Sequence, residues 1–157
     1  MDKNIRFMKE AIKEAKKAEL IDEVPIGCVV VKDGKILSRG HNVRETKNNP
    51  IGHAEIIAIT KASKKLNSWR LDGCDIYITL EPCIMCSGAI IQSRIKTIYY
   101  GASDPKGGAL GSSINVLEAN NINHHPEVVP GVLQKECSEI LTSYFKNKRE
   151  EKKKLGL

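Results

Sequence analysis

Two short segments place the hardest demand on any fold of this chain: His53-Ala54-Glu55 and Pro82-Cys83-Ile84-Met85-Cys86. Each opens a stretch whose apolar residues recur with helical spacing. Ile56, Ile57, Ile59 and Ala62 follow the first; Ile84, Met85, Ala89, Ile90 and Ile91 follow the second. His53 and Glu55 are two residues apart and cannot share a helix face, whereas Cys83 and Cys86, three apart, do share one. All four side chains converge only if both helices begin at the same point. Helices that start where strands end meet this demand, so the site is expected at the strand ends of an α/β fold.

The donor set suggests the chemistry. A Cys-x-x-Cys pair and one distant His supply three metal ligands, and Glu55 is left over. A structural zinc site is closed by four protein ligands, and a catalytic one keeps a position open for water. Three ligands with a spare acid–base group suit a zinc-activated water, with Glu55 as the proton carrier. Two helix N-termini aimed at the metal favour thiolate and other anions. A closed structural site is the alternative, with Cys74, His124 or His125 as the fourth ligand.

The rest of the chain reads as a mixed α/β sheet covered by helices on both faces. Met8, Ala11, Ile12, Ala15 and Ala18 mark a surface helix ending near Leu20. The β-rich run Ile26–Val31, the Asp33-Gly34 turn signal and Lys35–Gly40 predict a hairpin. A helix is expected from His53 to Leu66, a buried strand over Asp75–Leu80, and a helix from Cys83 to about Ser93 with Pro82 in its first turn. That last helix is apolar on nearly every face, which predicts cover from a second subunit on the side away from the sheet. Thr97–Gly101 and Val128-Val129 read as further strands, and Ile114–Ala119 as a short helix. A final helix is expected over about residues 134–154, with Cys137, Ile140, Leu141, Tyr144 and Phe145 along one side. It ends in a basic run: Lys146, Lys148, Arg149, Lys152, Lys153 and Lys154.

With 157 residues, one domain spanning 1–157 is expected, and a chain of this size buries about 70% of its unfolded surface without disulfides. The five cysteines, the charged Met1–Leu20 segment and the lack of a long apolar run predict a reduced cytoplasmic protein with no membrane span. A net charge of +6 suits a polyanionic partner, while 4% aromatics speak against an extended base-stacking platform.

The H-x-E and P-C-x-x-C segments are the signature of the cytidine-deaminase-like zinc deaminases, which this chain resembles. The likeness extends to the bacterial tRNA adenosine deaminases through Glu23-Val24-Pro25-Ile26-Gly27, Gly40-His41-Asn42, Ser68-Trp69-Arg70-Leu71, Thr79-Leu80-Glu81-Pro82-Cys83 and Asp104-Pro105-Lys106-Gly107-Gly108. Those blocks run over most of the chain. The resemblance implies a three-layer α/β/α fold with a five-stranded mixed central sheet. It also implies a homodimer with one Zn²⁺ per subunit. The implied reaction is deamination of the wobble adenosine in the anticodon stem-loop of an arginine tRNA. By the same likeness His53, Cys83 and Cys86 bind zinc, and Glu55 shuttles protons. Asn42 and the Ala54 amide meet the extruded base, and Arg44, Arg70, Asp104, Lys106, Phe145 and Arg149 lie near the anticodon nucleotides.

Each assignment has a plainer counterpart. Asn42 reads equally as a turn residue, Arg70 and Lys106 as surface charges, and Asp104 as a turn cap before Pro105. Phe145 suits core packing as well as base stacking. Cys28, Cys74 and Cys137 read as small buried apolar groups. Two other functions use the same motif: deamination of free guanine or a free nucleoside, and a zinc-stabilised RNA-binding module without catalysis.

Overall fold

The hairpin forms around Asp33 and Gly34, both at positive φ (51° and 75°), the conformation that a two-residue turn between twisted strands requires. It joins β1 (Gly27–Lys32) to β2 (Lys35–His41), and a register shift at Val30/Val31 bends the pair. The computed structural model describes residues 2–156. Before the hairpin runs α1 (Lys3–Leu20), capped by the Asp2 side chain, which accepts from the Asn4 amide at 2.7 Å.

After the hairpin come α2 (Ala54–Leu66), β3 (Asp75–Leu80), α3 (Ile84–Gln92), β4 (Thr97–Ala102), β5 (Glu127–Val129) and α4 (Gln134–Lys154). The expected short helix near 114–119 is one 3-10 turn, Val116–Glu118. The sheet order is β2-β1-β3-β4-β5. β1 pairs antiparallel with β2 and β3, and β3-β4 and β4-β5 are parallel, so the sheet is five-stranded and mixed as expected.

Strand alternation divides the core into two layers. Cys28 and Val30 of β1, with Ile76, Ile78 and Ile98, face α2 and α3 and pack on Ala54, Ala58, Ala62 and Ile90. Val29 and Val31 point the other way, with Tyr77 and Tyr99, onto Phe7, Met8 and Ala11 of α1 and Cys137 of α4. Two glycines make this closeness possible. A Cβ at Gly27 would run into the Ala11 carbonyl oxygen, and one at Gly101 into Cys137 Sγ. Cys28, Cys74 and Cys137 are buried free thiols, as read from the sequence. Among the described residues no helix is long and apolar enough to cross a membrane.

Parallel strands β3 and β4 both end on the same edge of the sheet. The chain leaving β3 there enters α3 through Glu81-Pro82-Cys83, and α2 begins at the same edge. Sites in open α/β sheets lie at such carboxyl ends.

Candidate active site

Both motif segments start one residue later as helices than their periodicity predicts. His53 and Cys83 are the residues before the first helical turn, with extended backbone (φ −88°, ψ 151° and φ −74°, ψ 178°). Pro82 therefore lies outside α3 rather than in its first turn. Neither residue uses its side chain to cap its helix, so both side chains are free for another task. This also resolves the spacing of His53 and Glu55: only Glu55 belongs to α2, and His53 turns independently of the helix.

Cys83 Sγ lies 3.7 Å and Cys86 Sγ 3.5 Å from His53 Nδ1. The three ligand atoms all lie within 4.8 Å of one another, and among the described residues no fourth His, Cys, Asp or Glu joins them. Zinc bonds of about 2.3 Å to sulfur and about 2.0–2.1 Å to nitrogen give a tetrahedral S···N edge of about 3.6 Å. The donor set and its spacing thus fit a zinc ion with one position left open. Cys74 and His124, weighed above as closing ligands, are engaged elsewhere: Cys74 is buried in the core beneath α2, and His124 Nε2 donates to the Ile95 carbonyl at 2.6 Å.

The close contacts among these three side chains shift their acidities. A hydrogen bond from Cys86, with His53 alongside, pulls the Cys83 thiol down to about 4. The bond to Cys83 raises His53, and the bond to Cys83 together with burial raises Cys86. The Glu55 carboxyl is pushed up to about 7, first by burial and then by the Cys83 charge, against the opposing pull of a backbone hydrogen bond and of His53.

A cavity of about 840 Å³ opens over this floor, lined by His53, Ala54 and Glu55 below and by Arg44, Lys106, Lys148, Arg149 and Lys152 around the mouth. Asn42, Asp104 and Phe145 also line it. Asn42 is buried; its Nδ2 donates to the Val24 carbonyl at 3.2 Å and its Oδ1 accepts from the Arg44 amide at 3.1 Å. One N–H and one lone pair remain to it. The Ala54 amide opens α2 and has no acceptor within the helix. Arg70 does not line the cavity. It sits on an exposed turn, bonded to Asp72 at 3.0 Å and stacked near Trp69 at 5.4 Å.

Two buried carboxylates hold the cavity walls, and neither is visible as a site residue in the sequence. Glu23 accepts from the Glu45 and Thr46 amides at 3.2 and 2.6 Å, fixing the loop that carries Arg44. Glu81 accepts from the Asp104, Leu110 and Ser112 amides at 3.1, 3.0 and 3.2 Å. The sequence reading also took the terminal lysines as one basic run. The α4 helix instead turns Lys148 and Lys152 to the cavity, and Lys148 is tied to Asp22 at 2.6 Å. Helical period alone does not say which side of α4 meets the cavity; its packing on β4 and β3 decides it.

Such a fold with a His-Cys-Cys floor and an adjacent buried Glu is that of the deaminases. The MafB19-like deaminase family model matches residues 1–149, and the chain belongs to that family. Within it the chain is 52% identical over 147 residues to the tRNA-specific adenosine deaminase of Bacillus subtilis, spanning 94% of this chain and 91% of that one. A solved tRNA:A34 deaminase superposes with a TM-score of 0.84 at 45% identity, covering 87% of this chain and 99% of that one. The guanine deaminase of Bacillus subtilis superposes less well, with a TM-score of 0.60 and 33% identity over 73% of this chain and 84% of that one.

Proposed function

We propose that this chain hydrolyses the exocyclic amine of the wobble adenosine in a tRNA anticodon, with an arginine tRNA as substrate, giving inosine and ammonia. The observation that carries this reading is the joining of a ligand floor to a cationic mouth in one cavity. Arg44, Lys106, Lys148, Arg149 and Lys152 stand above the His53-Cys83-Cys86 cluster. A free base has no phosphates to pair with those cations, whereas an anticodon loop presents several. The greater likeness to the tRNA-specific adenosine deaminases supports the same choice over guanine. A base in an anticodon loop is already unpaired, so drawing it into the cavity costs little.

His53 Nδ1, Cys83 Sγ and Cys86 Sγ would hold one Zn²⁺ per subunit, and the ion would supply a water whose pKa is lowered towards 7. Glu55, at the cavity floor, takes a proton from the attacking water and delivers it to N1 of the purine. It then passes the second proton to the departing amine. Water adds at C6, the C6–N6 bond breaks, and the oxygen remains as the inosine carbonyl. Asn42 offers its remaining N–H and lone pair to the base, and the Ala54 amide donates at the same floor. Phe145, half exposed at the mouth, stacks on a neighbouring base, while Arg44, Lys106 and Arg149 meet phosphates. Asp104 shapes the turn that carries Lys106 by accepting from its amide at 3.2 Å.

The chain works as one domain, in the cytoplasm where tRNA is, and as a homodimer. Ile84 and Ile114 are 63% and 48% exposed, and a groove of mixed polar and apolar lining between α3 and residues 116–123 is available to a second copy.

The test is one assay. An anticodon stem-loop with adenosine at the wobble position is incubated with the protein, in parallel with free guanine and cytidine. Inosine in the RNA, abolished by Glu55→Ala, is the expected result. Ammonia released from a free base alone overturns the reading.

A further inference from the structure

Glu81 is 2% exposed, yet among the described residues no Lys, Arg or His pairs with it. Its charge is met by the loop that folds over it, through three backbone amides and the Ser112 side chain. Oε1 accepts from the Asp104 amide, and Oε2 accepts from the Leu110 and Ser112 amides. Three N–H groups arriving at both oxygens need an ionised carboxylate; a neutral amide offers only one acceptor oxygen. The contact surface has no slack. A Cβ at Gly108 would stand 2.6 Å from Glu81 Oε1 and 2.6 Å from the Asp104 carbonyl oxygen. The flanking backbone is knitted to the same loop: Ala109 N donates to the Pro82 carbonyl at 2.9 Å, and Glu81 N donates to the Ala102 carbonyl at 2.8 Å.

The loop so gripped is the cavity wall. Asp104 Oδ1 accepts from the Lys106 and Gly107 amides at 3.2 Å each, a tight turn that presents Lys106 at the mouth. Glu81 also stands two residues before Cys83 on the segment that leads into α3. One side chain therefore links the ligand segment below to the cationic wall above. We propose that Glu81 is a positioning residue: it sets where Lys106 meets a substrate phosphate relative to the reacting base. This role rests on the anticodon reading above for its substrate, and on the loop contacts alone for its mechanics.

The full-length, metal-loaded protein tests it through Glu81→Gln, Lys106→Ala and the double variant. Glu81→Gln is expected to raise KM for the stem-loop about tenfold, with kcat within about twofold, because binding common to ground and transition states is lost. Metal content stays at the wild-type level. Amide exchange quickens at Asp104, Leu110 and Ser112. In the Lys106→Ala background the same change adds little further KM, since both act through one contact. Unchanged KM, a fall in kcat alone, or additive effects in the double variant overturns the proposal.

Should Glu81→Gln not fold, Gly108→Ala keeps the carboxylate and wedges the loop away from it. The same KM rise and the same non-additivity with Lys106→Ala are expected, and a wild-type KM there overturns the proposal. If the wild-type protein makes no inosine in the stem-loop, the anticodon reading fails by itself. Exchange at those three amides then decides: faster exchange in the variant upholds the clamp, and unchanged protection removes it.

Discussion

His53 Nδ1 stands 3.5 Å from Cys86 Sγ although 33 positions of chain separate the two residues. Their meeting depends on α2 and α3 starting at one edge of the sheet, with each leading ligand just outside its helix. Loss of a ligand and loss of the acid–base group should therefore part company. Cys86→Ser is expected to lose metal and activity together. Glu55→Ala keeps the metal and lowers the rate about a hundred- to ten-thousandfold. Metal analysis by mass spectrometry beside the inosine assay checks both, and equal metal loss in the two variants contradicts the division of roles.

The cationic mouth sets a salt dependence. With about four phosphates contacted on a single strand, log affinity is expected to fall against log salt with a slope near −3. Lys106→Ala and Arg149→Ala should each make that slope shallower by about 0.7. Fluorescence anisotropy with a labelled stem-loop measures it, and a flat response excludes phosphate contacts at Arg44, Lys106 and Arg149.

Glu23 ties stability to pH. Burial pushes its carboxyl up, but the bonds from Thr46 and Glu45 more than offset this, so it is held below the usual carboxylate range. A lowered folded-state pKa contributes stability above the unfolded-state value, and that stability is lost as pH falls through the folded one. Glu23→Gln should thus be less stable than wild type at pH 7, with the gap closing in acid. Urea unfolding at both pH values tests this; a gap that widens in acid contradicts it.

Gly27 separates packing from chemistry. A Cβ there would meet the Ala11 carbonyl oxygen and the Ala15 amide nitrogen, both backbone atoms that cannot swing aside. Gly27→Ala is expected to cost about 3 kcal/mol and to lower Tm by roughly 10 °C. Circular dichroism on heating reads the change, and metal content in the folded fraction should stay whole. An unchanged Tm would mean that α1 can back away from β1.

Short-range signals made much of this molecule readable from its residues. Asp33-Gly34 announces the hairpin, apolar spacing announces α1, α2 and α4, and the count of one His, two Cys and a spare Glu announces the donor cluster at the cavity floor. All of these act over a few residues, where turn geometry, helical period and ligand type are local properties. The start of α3 shows the limit: Pro82 suggests its first turn, but the helix waits until Ile84 so that Cys83 can face His53.

What lies around the site was settled only when distant segments met. Glu81 enters the sequence reading only within the block Thr79–Cys83, and it becomes a buried anchor because residues 104–112 fold over it with three amides. Arg70 reads as a substrate contact, yet its turn carries it away from its own cavity, while Lys148 and Lys152 are brought in by the docking of α4. The donor types of the His-Cys-Cys motif are legible at short spacing, but their assembly across 33 positions needs the fold. The burial of a charge and the side of a helix that meets a cavity are long-range outcomes, decided by which surfaces pack together and which backbone amides are left needing an acceptor.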